Sequence, residues 1–102
     1  MAREHLLFDK TEIVAGYLSG KKYLVANLTS DKITSVIIEP CRVGLFKHRA
    51  GERIVINSGK LGGPIVYYRH QEKKYFDGYV EGLVKFCRDN NVTLHYNENN
   101  RT

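Results

Sequence analysis

Short apolar segments recur along the first two thirds of the chain, and turn-forming residues separate them. Two of them, Glu12–Leu18 and Lys22–Leu28, flank the sequence SGKK, whose Gly20 can adopt the positive φ of a tight hairpin turn. A third strand is expected over Ile33–Glu39, and Pro40 is expected to end it. Short strands at intervals of about ten residues are typical of an antiparallel sheet or barrel.

The strand pattern continues through the middle of the chain. In RVGLFKHR the positions Val43, Leu45 and Lys47 alternate with Gly44, Phe46 and His48. AGE then predicts a turn, and RIVIN predicts the next strand. The segment NSGKLGGPIVYYRH, Asn57–His70, predicts a glycine-rich connection and then a strand that begins at Pro64. With the short segment VTLHY near the C-terminus, the pattern predicts about six to seven short strands.

Between residues 71 and 90 the period of the pattern changes from two to about 3.6, which predicts a single amphipathic helix. Its central apolar stripe consists of Phe76, Val80, Leu83 and Cys87. Asn90 and Asn91 suit a left-handed cap at its C-terminal end. Acidic residues such as Glu72 and Asp77 are interpreted as exposed helix charges. The fold class is therefore mainly β, with a strongly curved antiparallel sheet or barrel capped by one C-terminal helix.

This order of elements resembles the pleckstrin-homology-like fold, above all its small bacterial members. The resemblance runs from HLLFDKTEIV to KFCRDNNVTLHY. It implies a seven-stranded, nearly orthogonal barrel that forms one domain over residues 1–96, followed by a polar tail at 97–102. Eukaryotic members commonly carry a tryptophan in the C-terminal helix, and this chain has none. Their phosphoinositide binding is therefore not carried over, and the resemblance implies a non-enzymatic binding or scaffolding module.

Composition agrees with one small domain, because 102 residues with 42% hydrophobic content suffice for a modest core. No apolar run approaches the roughly 18 residues of a membrane span, and charge appears early in MAREHLLFDKTEIV. We therefore expect neither a span nor a secretory signal, and a cytoplasmic location. Cys41 and Cys87 lie far apart and fit a reduced chain better than a disulfide framework.

The net charge of +5 arises entirely from residues 40–70, which hold six basic residues and one acidic residue, Glu52. The basic residues, our candidates for an anion-binding surface, are Arg42, Lys47, Arg49, Arg53, Lys60 and Arg69. Nucleic acid or an anionic headgroup would suit such a surface, since CRVGLFKHRAGER and YYRH mix basic and aromatic residues. A solvated basic edge, with its aromatic side chains in the core, explains the same pattern.

The glycine-rich segment SGKLGGP lacks the spacing and the hydroxyl of a P-loop, and a strand follows it where a P-loop needs a helix. A connection between strands is favoured over an anion nest of Gly59, Gly62 and Gly63 beside Lys60. Histidine and cysteine never fall at metal-ligand spacings such as HxxxH or CxxC. We predict no catalytic residue, cofactor or metal, and thiol chemistry at Cys41 is the remaining alternative.

The apolar arc of the predicted helix widens to one side, where two glycines lie beside aromatic residues. These interface candidates are Tyr75, Gly78, Tyr79, Gly82 and Phe86. Each glycine inside a helix costs about 1 kcal/mol relative to alanine, so a compensating close contact is expected. Closure of the protein's own barrel is favoured over a second subunit. The leading functional hypothesis is a protein-binding or self-associating module that recruits its partner through a sheet edge or this helix flank.

Overall fold

The computed structural model describes residues 4–44 and 49–97, which form seven strands and two helices. In chain order these are β1 (Leu6–Phe8), β2 (Glu12–Ser19), β3 (Lys22–Thr29), β4 (Ile33–Val43), β5 (Arg49–Ser58), β6 (Ile65–Tyr68), α1 (Arg69–Glu72), α2 (Phe76–Asn90) and β7 (Leu94–Tyr96). Single 3₁₀ turns, Ser30–Lys32 and Lys73–Tyr75, precede β4 and α2. The predictions of a mainly β chain and of a long C-terminal helix are confirmed. The predicted tail at 97–102 lies almost entirely outside the described residues.

The strands form two separate sheets. The first has the order β1-β2-β3, and the second has the order β6-β5-β4-β7. Neighbours are antiparallel except for β4 and β7, which are parallel. The closed barrel that the sequence suggested is not formed by the described residues. The Ser30–Lys32 turn carries the chain from β3 to β4 without pairing these two strands, so each sheet keeps its own edges.

The hairpin of β4 and β5 is longer than the sequence predicted. β4 continues through Pro40 to Val43, and Ala50, Gly51 and Glu52 pair with β4 and do not form a turn. The N–H of Val36 donates to the carbonyl of Thr93, and the carbonyl of Ile38 accepts from the N–H of Asn97, so both groups face β7. By strand alternation the ring nitrogen of Pro40 faces the same side, beyond the end of β7, so Pro40 removes no bond between β4 and β5.

The core lies between the two sheets and α2, which packs against β1 and β4. The predicted helical stripe is buried, with Phe76 and Leu83 at 0% exposure. The predicted cap is also confirmed, because α2 ends at Asn90 and Asn91 adopts the left-handed conformation, with φ 56 and ψ 38. Local sequence signals therefore placed the helix face and its end correctly.

The start of the helix differs from the prediction because the chain breaks at Lys73. This residue has φ 50 and ψ −120, a combination that residues with a side chain rarely adopt. The break separates the single turn of α1 from the start of α2 at Phe76. Glu72, the last residue of α1, directly precedes the break, and its side chain is buried.

Candidate functional site

β3 forms one edge of the first sheet. It pairs with β2 on one side and with no strand of the described chain on the other. Ser19 pairs with Lys22 across the turn, and φ is positive at Gly20 but not at Lys21, which fits a type II′ turn. The pair that closes such a hairpin exchanges both backbone hydrogen bonds. Alternate residues from Lys22 onward therefore bond to β2, and the residues between them direct their backbone N–H and C=O groups outward.

The outward-facing residues of β3 are Tyr23, Val25, Asn27 and Thr29. A side-chain contact agrees with this assignment, since Lys60 Nζ donates to the Asn27 carbonyl oxygen at 3.0 Å. Lys60 thus occupies the outer edge near the C-terminal end of β3. No described residue hydrogen-bonds to the outward groups of Tyr23 and Val25, so the open part of the edge is centred on them.

Exposed apolar side chains lie on both faces of this open edge. On one face Leu18 is 71% exposed and Val25 is 61% exposed, together with the half-exposed ring of Tyr23. On the opposite face Leu24 is 39% exposed, whereas Leu28 further along β3 is fully buried. The sequence YLVA is a continuous apolar run, a pattern typical of a strand covered on both faces. At a sheet edge the same run leaves an apolar patch in contact with water.

Tyr23 is seated on β2 over Gly16. A Cβ atom at position 16 would collide with the Tyr23 hydroxyl, so glycine provides the space that the ring occupies. The ring centroids of Tyr23 and His5 are 5.9 Å apart. These residues line a cleft of about 280 Å³ that extends to Ile65 and Glu72. This volume lies just below the roughly 300–1,000 Å³ of small-molecule sites and suits a side chain of a bound polypeptide.

Glu72 lines this cleft. With 9% exposure, it is the only buried charged side chain among the described residues. The Tyr79 hydroxyl donates to Glu72 Oε1 at 2.9 Å, and His5 Nδ1 lies 3.0 Å from the same oxygen. The Tyr79 hydroxyl accepts a hydrogen bond from the backbone N–H of His5 at 2.7 Å. The prediction that Glu72 is an exposed helix charge is wrong, because Tyr79 and the sequence-distant His5 cover its carboxylate.

A second tyrosine completes this network. Tyr67 donates its hydroxyl hydrogen to the Gly16 carbonyl at 2.8 Å. Burial raises the pKa of both Tyr67 and Tyr79, and the nearby Glu72 carboxylate adds to the effect. Both phenols therefore stay neutral at physiological pH and act as hydrogen-bond donors. The hydrogen bonds from the backbone and ring of His5 to Tyr79 and Glu72 position the N-terminal segment against the helix.

Two of the predicted anion-binding residues are engaged in ion pairs. Arg53 donates to Glu39 at 2.7 Å across the β4–β5 hairpin. Arg69 donates to Glu52 at 2.8 Å and to Asp77 at 2.7 Å. These hydrogen bonds raise the pKa of both guanidinium groups, and the carboxylates offset their charge. Arg53 and Arg69 are thus less available to an external anion than their sequence positions suggested.

The other predicted anion-binding residues do not form one surface. Arg42 and Arg49 are exposed at the turn end of the β4–β5 hairpin, whereas Lys60 follows the opposite end of β5. The ten residues of β5 span about 30 Å at 3.3 Å per residue, so Lys60 is far from the two arginines. Lys47 lies outside the described residues. Arg49 pairs with Val43 and Arg42 pairs with Ala50, so the side chains of Arg42 and Arg49 lie on opposite faces of the hairpin, whereas Arg42 and Arg69 line one open cleft.

The predicted interface residues on the helix lie mostly inside the molecule. Tyr79 is 1% exposed and Phe86 is 4% exposed, so both belong to the core and offer no surface to a partner. Gly82 is covered by Phe8 of β1, whose ring would lie 2.5 Å from a Cβ atom added there. Gly78 faces open space and Tyr75 is partly buried. The close contact expected at Gly82 is therefore made within the chain.

The remaining candidates for chemistry are the metal-ligating residues and the two cysteines. Within the described chain, no group of three or more histidine, cysteine or acidic side chains is able to hold a metal ion. Burial raises the pKa of the Cys87 thiol to about 11, so little of it is thiolate at neutral pH. Cys41 borders an open cleft of about 690 Å³ with Arg42 and Arg69, and of the described histidines His5, His70 and His95 none lines it.

Comparison of the chain with protein-family models, with curated proteins and with solved structures found no match. None of the helices described here has the length and apolar character needed to span a membrane. The assignment of function therefore depends on the geometry of the site, and the open edge of β3 is its most distinctive feature.

Proposed function

We propose that the protein is a non-enzymatic binding module that captures an extended segment of another protein as an added strand beside β3. The supporting observation is the open edge at Tyr23 and Val25, with exposed apolar side chains on both faces. In strand addition, main-chain hydrogen bonds supply affinity, and contacts with alternate side chains supply specificity. The order of elements supports a scaffold of the pleckstrin-homology-like kind as part of the same proposal.

The lack of protection along this edge also supports the proposal. Proteins usually protect an edge strand with proline, inward-pointing charge, a bulge or a covering segment. Between Tyr23 and Val25 the described structure has none of these devices, although Lys60 closes the edge at Asn27. A partner that covers the apolar patch would remove the risk of aggregation that the bare edge carries. The cleft beside Tyr23 would accept one side chain of that partner.

The decisive variant is Val25→Pro. The N–H of Val25 points away from β2, so proline removes an outward donor without removing a bond between β2 and β3. Val25→Thr is the matched control, because it keeps the N–H and the β-branched shape. Peptides selected from a random-sequence library on the immobilised protein are the probe. We expect Val25→Pro to weaken their binding at least about tenfold, or 1.4 kcal/mol, and Val25→Thr to weaken it less than about threefold.

Hydrogen exchange of the wild-type protein gives an independent measurement. Binding of a selected peptide should slow exchange at the amides of Tyr23 and Val25, which face solvent in the unbound protein. The proposal is overturned if no peptide can be selected, or if the selected peptides bind Val25→Pro as tightly as wild type and leave both amides unprotected. Circular dichroism of the proline variant establishes that the hairpin is retained.

A further inference from the structure

We infer, on the basis of the proposed strand addition, that the captured segment has an apolar centre and acidic residues at both ends. This inference names the chemistry of the partner, whereas the proposed function names only the mode of binding. It follows from the charges that limit the open edge and from the side chains between them.

Lysines lie at both ends of the open edge. Lys21 and Lys22 are exposed at the tip of the β2–β3 hairpin, before the first outward-facing residue. At the other end Lys60 Nζ lies on the outer edge, 3.0 Å from the Asn27 carbonyl oxygen. Lys32 is exposed beyond the end of β3, where Asp31 provides one opposing charge. An added strand that reaches from the hairpin tip to Asn27 therefore has an ammonium group near each of its ends.

Apolar contacts dominate between these two ends. Residues of an added strand that lie on the same face as Tyr23 and Val25 would contact those side chains, with Leu18 behind them on β2. Residues on the opposite face would contact Leu24. A segment with apolar side chains on both faces, over about three to five residues, would cover this region. Acidic residues placed before and after it would meet Lys22 and Lys60.

A second copy of this chain fits the edge poorly. Antiparallel pairing of two β3 strands about Val25 places Tyr23 of one copy opposite Asn27 of the other. Lys60 occupies that position, so the hairpin lysines of each copy would approach Lys60 of the other. Like charges at close range disfavour this arrangement, and each copy also carries a net charge of +5. A separate polypeptide with acidic ends has no such repulsion.

Three synthetic peptides test the charge requirement. They share a centre of alternating valine and leucine, which is apolar on both faces, and differ only at their ends, which carry two glutamates, two glutamines or two lysines. By fluorescence anisotropy at about 50 mM salt, we expect the glutamate peptide to bind at least about tenfold more tightly than the glutamine peptide, and the lysine peptide to bind most weakly. At about 500 mM salt the difference between glutamate and glutamine should shrink to about twofold.

Charge reversal on the protein provides the matched test. Lys22→Glu should weaken binding of the glutamate peptide at least about fivefold and binding of the glutamine peptide less than about twofold. Lys85→Glu makes the same change of charge on α2 and should leave both affinities within about twofold. If the glutamate and glutamine peptides bind the wild-type protein equally, and Val25→Pro abolishes binding of both, the charge requirement is wrong and strand addition stands. If no peptide, synthetic or selected, depends on Val25, the proposed function itself fails.

Sedimentation velocity tests whether a second copy of this chain occupies the open edge of β3. We expect the wild-type protein to be monomeric. If it forms a dimer that dissociates in Val25→Pro, the segment added beside β3 comes from a second copy of this chain, and the inference of an acidic partner is wrong.

Discussion

Replacing Tyr79 by phenylalanine removes one oxygen atom from the core and breaks two hydrogen bonds. The hydroxyl donates to Glu72 Oε1 at 2.9 Å and accepts from the backbone N–H of His5 at 2.7 Å. Its ring remains in place, so the variant loses only the volume of one oxygen atom and keeps the packing against Tyr67. The variant therefore isolates the contribution of the hydroxyl group to stability.

The expected loss follows from these two bonds. A hydrogen bond to a charged group contributes about 1.5–3 kcal/mol, and a neutral one about 1 kcal/mol. His5 Nδ1, 3.0 Å from Glu72 Oε1, still holds the carboxylate in the variant, which limits the loss. We expect a decrease of about 3 kcal/mol in the free energy of unfolding. That is a large part of the roughly 5–15 kcal/mol typical of a domain of this kind.

Urea denaturation at pH 7, followed by circular dichroism, measures this loss as a lower midpoint at constant slope. Tyr23→Phe is the control, since its ring is half exposed, and it should change stability by less than about 0.5 kcal/mol. Combining Tyr79→Phe with Glu72→Gln should cost less than the sum of the two single losses, by about 1 kcal/mol. A loss below about 1 kcal/mol for Tyr79→Phe, or full additivity, would refute the view that this hydroxyl holds the buried carboxylate.

Two further predictions concern α2. Gly78→Ala should stabilise the protein by about 1 kcal/mol in thermal and urea unfolding. Gly82→Ala should give no gain in stability, because its methyl group displaces the Phe8 ring. Equal gains for the two variants would contradict the Phe8 contact. Burial raises the pKa of the Cys87 thiol to about 11 in the folded protein, whereas its pKa in the unfolded chain is 9.0. The unfolded state therefore loses the proton first, and stability should fall as pH rises from about 9, by about 2 kcal/mol at pH 11. Cys87→Ala should show a correspondingly shallower decline, and an identical decline in both proteins would exclude this contribution.

Local features were predictable from the sequence. The strands of the β2–β3 hairpin, the buried stripe of α2 and its Asn91 cap all depend on residues close together in the chain. The start of α2 was misplaced because no local signal marks the positive φ at Lys73. Pro40 was misread because its effect depends on the length of β7, a strand that follows more than fifty residues later.

The candidate site was harder to predict for the same physical reason. The run YLVA specifies a strand, but its position at an edge depends on which strands pair with it, and the run itself suggests burial on both faces. Glu72 appeared to be an exposed helix charge, because His5 lies 67 residues away and only the folded chain brings the two together. Arg53 and Arg69 are likewise paired with acidic residues that strand register brings beside them.

The parallel pairing of β7 with β4 has a consequence for the order of folding. β7 adjoins Val36–Ile38 only after the chain has passed through β5, β6 and the whole of α2. The backbone of His5 likewise reaches Tyr79 across 74 residues. Contacts at such sequence separation form slowly, because a long loop must close first. During synthesis β4 therefore lacks its β7 neighbour until residues up to Tyr96 have left the ribosome, and the nascent domain exposes the edge of β4 for that time.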